Sequence, residues 1–260
     1  MKKTFITLLA LAGVAMGETQ YFDFGGMVVA GAININSTDS THSGDLNAMS
    51  GSYSFTSSNG IYNSQTATNT NDWCDPFPGT LPSIFATDGY ADSVTTGNNW
   101  DAGSTGYFTL TLTGLENGVY SMTIFGGGKG KDCLADTTLT LTGAGDSVNW
   151  VDVMATGTDG EWPTEGETQT GNSVSINTVD HDWTGQKSQY DTIAKGYQAT
   201  AQNIVVTDGT LSLKIEGFDA ANGYARTYVS GIALAQVPEP ATATLSLLAL
   251  AGLAARRRRK

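Results

Sequence analysis

The stretch "YFTLTLTGLENGVYSMTIFG", Tyr107 to Gly126, constrains this chain more than any other. Phe108, Leu110 and Leu112 fall on one side of an extended backbone, and Thr109, Thr111 and Thr113 on the other. Glu116-Asn117-Gly118 interrupts the pattern, and Tyr120, Met122 and Ile124 then resume it. A helix would scatter these apolar residues around its circumference. Alternation at period two is the mark of a half-buried strand, and the Asn-Gly connection makes the stretch read as a strand pair. "DTTLTLTG" repeats the pattern with Leu139 and Leu141. "TLSLKIEG" sets Leu211, Leu213 and Ile215 against Ser212, Lys214 and Glu216, and "YARTYVSGIALA" keeps Tyr228, Ile232 and Leu234 in phase. "YFDFGGMVVAGAININ" reads as one or two strands interrupted at Gly25-Gly26. With Ser147 to Met154, Ser173 to Thr178 and Gln202 to Val206, eight to ten strands are expected. Turn residues separate most of them, so the expected architecture is an all-β, antiparallel β-sandwich. Residues Ser37 to Trp100 give the fewest strand signals, and there is no internal repeat.

The two ends differ from this body. "MKKTFITLLALAGVAMGETQ" opens with Lys2 and Lys3, continues with an apolar run from Phe5 to Ala15, and has small residues at Ala15 and Gly17. That order reads as a secretory signal peptide over residues 1–17, too short for the roughly 20 residues of a membrane span; a buried amphipathic helix, the alternative, would leave Lys2 and Lys3 without a purpose. No cysteine follows the cleavage point, so no lipoprotein anchor is expected. At the other end, Pro238-Glu239-Pro240 precedes an uncharged run from Ala241 to Ala255 and the cations Arg256, Arg257, Arg258, Arg259 and Lys260. As a hydrophobic helix the run reaches about 22 Å at 1.5 Å per residue, short of the roughly 30 Å hydrocarbon core. Snorkelling arginines and local thinning would let it cross, with the cations held on the cytoplasmic side. The prolines keep the tripeptide extended just outside the membrane.

These three ordered elements resemble a PEP-CTERM sorting signal of Gram-negative bacteria, over residues 237–260. The resemblance implies a partner, an exosortase-like membrane transpeptidase. Such an enzyme would cut near the motif and pass the body, residues 18–236, to the cell surface or extracellular matrix.

Composition narrows the function of that body. Setting aside Lys2, Lys3, the five terminal cations and Glu239 leaves six Lys and Arg against 24 Asp and Glu, a net charge of −18. Such a chain repels nucleic acid and anionic lipid and stays soluble. Oxygen-rich turns such as "NTNDWCD" and "GTDGEW" are suited to a structural calcium, although no EF-hand spacing is present, and no other cofactor is expected. Cys74 and Cys133 are the only cysteines. In an oxidising compartment they are expected to form one disulfide, closing a loop of about 60 residues and contributing roughly 4 kcal/mol.

A second, looser resemblance rests on the opening "FDFGG", the "G-L-x-x-G-x-Y" turn and the closing "YVSGIALAQ". Together these look like galactose-binding-like and malectin-type jelly rolls. It implies a jelly roll that binds sugars through loops at one end. The residues suited to that chemistry are Trp73, Trp100, Trp162 and Trp183, in "NDWCD", "NNWDAG", "GEWPTE" and "HDWTGQ". A flat indole stacks on the C–H face of a pyranose while neighbouring carboxylates and amides bond its hydroxyls. The alternative for each is to cap the sandwich core. Trp150 lies in a strand and is expected in the core.

No catalytic signature stands beside these. "GGGKGKDC" fails as a phosphate loop, since Phe125 stands where its first glycine belongs and Asp132 replaces the Ser or Thr; it reads as a hairpin loop. His181, between Asp180 and Asp182, has no nucleophile elbow to serve and reads as a surface-loop residue; the other histidine is His42. Glu161, Glu165 and Glu167 are loop carboxylates without a defined spacing for glycoside hydrolysis. The expectation is therefore a non-catalytic, glycan-binding surface or matrix protein. A carbohydrate-active enzyme and a purely structural surface protein are the alternatives.

Overall fold

The structure is a computed structural model. It describes residues 17–25, 28–35, 41–58, 61–65, 83–85, 93–96, 104–129, 136–155, 167–176, 194–218, 224–225 and 228–238. Glu18–Val237 form one compact unit.

Two sheets make up the body. The first contains, in spatial order, β11 (Asn149–Ala155), β14 (Ala194–Val206), β9 (Gly118–Lys129), β18 (Gly231–Val237), β1 (Thr19–Phe24) and β2 (Ile33–Ile35). The second runs β12 (Glu167–Thr170), β13 (Ser173–Ile176), β10 (Asp136–Thr142), β15 (Leu211–Phe218), β8 (Tyr107–Thr113), β4 (Ser52–Ser57) and β3 (Thr41–Asp45). Neighbours in both are antiparallel, except that β2 runs parallel to β1. Smaller pairings join β5 (Ile61–Gln65), β6 (Ser93–Thr96) and β17 (Tyr228–Val229), and β7 (Ser104–Thr105) with β16 (Tyr224–Ala225).

The topology is a jelly roll. Eight strands carry it, in chain order β1, β8, β9, β10, β13, β14, β15 and β18. Numbered one to eight, they form a sheet of order 1-8-3-6 facing one of order 2-7-4-5. All but one of their successive connections pass from one sheet to the other, the wrapping that nests two Greek keys.

Alternation along each strand sends one set of side chains between the sheets. Phe22, Phe24, Met122, Ile124, Ile232 and Leu234 come from the first sheet; Phe55, Phe108, Leu110, Leu112, Leu139, Leu213 and Ile215 come from the second. Trp150 is among them, 3% exposed, as expected. Aromatic rings bridge the two layers. Phe24 meets Phe55 at 4.9 Å between centroids and Phe22 meets Tyr53 edge-on at 5.5 Å, while within the second sheet Phe55 stacks on Phe108 at 5.1 Å. Each such pair adds roughly 0.5–1.5 kcal/mol beyond its area burial.

Three expectations need correction. β8 and β9 do not pair: β8 lies between β4 and β15, and β9 between β14 and β18. Period two defines which face is buried, not which strand lies alongside. Here Leu115 turns inward, 5% exposed, so the connection becomes a corner between sheets rather than a hairpin tip. Gly126 to Lys129 of the glycine run are strand rather than loop, in register with Tyr197 to Ala194, because β14 supplies a partner along that whole length. "YVSGIALA" is broken at Ser230, between β17 and β18.

Candidate functional site

Strand direction sorts the connections of the sandwich into two groups. β18 runs from Gly231 at the far end to Val237 at the near end; pairing fixes the directions in the first sheet, and short links such as 114–117 and 207–210 carry them into the second. At the near end the links are short: 46–51, 114–117, 143–148, 171–172 and 207–210. They bond to one another and close that end. Leu115 N–H donates to the Gly209 carbonyl (3.0 Å), Val205 N–H to Ala144 (2.9 Å), and Asn172 Nδ2 to Gly145 (2.6 Å). Leu46, Leu115 and Ala144 are buried beneath these turns.

The long connections all leave from and return to strand ends at the far end. They are the segments between β1 and β3, β4 and β8, β9 and β10, β11 and β12, β13 and β14, and β15 and β18. Trp73 and Trp100 belong to the β4–β8 connection, Trp162 to β11–β12, and Trp183 to β13–β14. These four tryptophans lie outside the described residues, as do Cys74, Cys133, His181, Glu239, Pro240 and Arg256 to Arg259.

The described part of the far end has a distinctive floor. One row across the outer face of the first sheet reads Gln198, Phe125, Gly231, Asp23, Asn34, each the register partner of the next. Phe125 fits because Gly231 beside it has no side chain. A Cβ there would stand 2.3 Å from Cζ of the ring. Over the row lie Val29 and Ala32 from the turn after β1, and Ile84 and Phe85 from the short 3-10 helix Ser83–Phe85. Phe85 meets Phe125 edge-on at 5.0 Å and Tyr21 at 5.9 Å.

Polar atoms in the row hold this cover down. Val29 N–H donates to Asp23 Oδ2 (3.1 Å) and to Asn34 Oδ1 (3.0 Å). Asn34 Nδ2 donates to the Ala32 carbonyl at 3.1 Å. A carboxylate that accepts the Val29 N–H at 1% exposure braces a loop; it is not presented to a substrate. Gln20 acts similarly on the opposite face of β1, where its Oε1 accepts from Asn47 N–H (2.9 Å) and Ala48 N–H (3.1 Å). Sequence reading did not find these residues. "FDF" shows Asp23 pointing away from the core, but only the chain folded over it makes it buried.

Among the described residues, three tyrosines have shifted phenol groups. Burial raises Tyr197, Tyr53 and Tyr120 above the usual phenol range, with Glu116 adding to the effect at Tyr120. Tyr120 OH donates to the Glu116 carbonyl. On the outer face of the second sheet Lys214 pairs with Glu216 at 2.9 Å and lies 4.5 Å from the Tyr107 ring centroid. Among the described residues no three His, Cys, Asp or Glu side chains converge as a metal site. No helix there is long and apolar enough to cross a membrane.

The body ends where the sorting tail begins. Val237 pairs with Val119 of β9, Gln236 N–H donates to the Glu18 carbonyl (3.0 Å), and Pro238 follows without a linker. The N-terminus of the folded unit and its C-terminal exit are therefore neighbours at the near end.

No curated protein matches the chain. Among solved structures, that of the carbohydrate-binding module TmCBM61 in complex with β-1,4-galactotriose is similar at 10% sequence identity and a TM-score of 0.31, over 71% of this chain and 88% of that one. A likeness at that score carries no weight for fold or ligand. Residues 236–260 match the PEP-CTERM protein-sorting motif. The chain thus carries, at its C-terminus, the sorting signal of an exported protein that is anchored there before processing.

Proposed function

We propose that this protein is a non-catalytic glycan-binding module of the cell surface or extracellular matrix, delivered there by an exosortase-like transpeptidase that acts near Pro238-Glu239-Pro240. The observation that carries the reading is the sorting of connections by length. Four of the five tryptophans belong to segments whose flanking strands all end at the far end of the sandwich. An exported jelly roll with a closed near end, whose strands meet tryptophan-bearing segments at the other, is suited to binding sugars. Indole faces stack on pyranose rings, and the many Asp and Asn residues of the same segments bond the hydroxyls. A structural calcium within these oxygen-rich segments belongs to the same reading. The one deeply buried carboxylate of the described far end, Asp23, is engaged in bracing a loop, which favours binding over hydrolysis.

The test is a glycan array probed with the body, Glu18 to Gln236, with and without calcium. Saturable binding to one glycan class, reduced at least tenfold by Trp162→Ala or Trp183→Ala, supports the reading. A folded protein silent across the array would make it a structural matrix component instead.

A further inference from the structure

The sorting segment and the folded body overlap. The matched segment starts at Gln236, yet Gln236 and Val237 are the last two residues of β18, in register with Tyr120 and Val119. β18 is an interior strand, with β9 on one side and β1 on the other. Its pairing with β1 reaches Thr19–Ala235, and the Gln236 N–H to Glu18 bond extends it by one more residue. The backbone groups at the start of the signal are therefore already committed to the sheet. An enzyme that cuts a peptide binds it extended, through those same N–H and C=O groups. Reach adds to the conflict. An extended residue spans at most about 3.3–3.6 Å, so three residues can reach no more than roughly 10 Å whatever their conformation.

We propose that the end of β18 is a gate on processing: the transpeptidase acts only after Gln236 and Val237 leave the sheet, and the stability of that pairing sets the rate of the cut. This rests on the sorting reading above and concerns the step before any bond is broken. The opening is small. The need to release the few backbone hydrogen bonds of these two terminal residues slows processing at least roughly tenfold relative to a free signal.

The experiment is a pulse–chase of the full-length chain in its own cell, measuring the half-life of the uncut form in four variants. An eight-residue Gly/Ser linker inserted between Val237 and Pro238 is expected to shorten that half-life about tenfold. The same linker in the near-end turn at Gly171-Asn172 should leave it unchanged. Val119→Gly weakens the pairing without adding length, and should shorten the half-life about three- to fivefold. Replacing Pro238, Glu239 and Pro240 with alanine should abolish the cut. A linker effect without a Val119→Gly effect means reach alone matters and overturns the gate, as does no effect of either while the alanine variant is blocked. Normal processing of the alanine variant overturns the sorting reading, and the gate with it.

Discussion

Replacing Gly231 by alanine tests the floor of the far end. The new Cβ would stand 2.3 Å from Cζ and 2.5 Å from Cε1 of Phe125, where carbon atoms ordinarily approach to about 3.5–4.0 Å. The ring is fully buried and has Phe85 against it at 5.0 Å, so it cannot swing aside without lifting the cover. Overpacking of this kind costs about 1–3 kcal/mol, which for a body of this size lowers Tm by roughly 2–12 °C. Phe125→Ala alone leaves a cavity and costs about 3–5 kcal/mol. The two should not add. With the ring gone the alanine methyl has space, so Gly231→Ala in the Phe125→Ala background should cost nothing or restore some stability. Denaturant midpoints of the four proteins close the cycle, with an expected coupling of about 1–3 kcal/mol. Additive effects within about 0.5 kcal/mol would show that Gly231 is not there to admit the ring.

Gly143 and Gly171 offer a matched pair at the near end. Both have positive φ, but a Cβ on Gly143 meets the Thr210 carbonyl oxygen at 2.4 Å while one on Gly171 meets nothing within 4 Å. Alanine at 171 should cost about 1 kcal/mol and at 143 at least about 2 kcal/mol, read from urea midpoints. Tyr197 predicts an alkaline limit to stability. Its phenol, raised by burial, stays protonated in the fold while the unfolded chain ionises near 10.0, so stability is full below that pH and falls as pH rises above it. The loss approaches at most about 1.4 kcal/mol per pH unit, and urea melts from pH 8 to 11 should show a shallower decline for Tyr197→Phe. A thiol assay on the unfolded, unreduced protein should find no free sulfhydryl if Cys74 and Cys133 are bridged; two would remove the disulfide.

Strands with leucine or branched residues at every second position, such as β8, β10 and β15, were legible because alternation alone defines their buried face. Strands built from small or polar residues were not. The first half of β14, "AKGYQATA", carries little apolar signal, yet Tyr197, Ala199 and Ala201 are buried because β9 and β11 flank them. "THSGD" of β3 has no pattern at all and exists as an edge strand on β4. At the candidate site, residue type was readable and place was not. Each tryptophan announces stacking chemistry by itself, but that the sandwich strands on either side of these segments meet them at one end follows from adding up strand directions, which are long-range facts of pairing. The signal at Pro238 was plain in sequence, whereas the merging of its first residues into the sheet was visible only once β18 had two partners.

The direction of β18 also bears on mechanics. A load taken up at the far end and resisted through the C-terminal attachment would pull along the axis of this strand. Seven register pairs with β9 and five with β1 lie across that axis. Tension applied this way shears them together, whereas a pull across the sheet would open them one at a time. The last strand would thus resist such tension with a strength that grows with the number of pairs sharing the load.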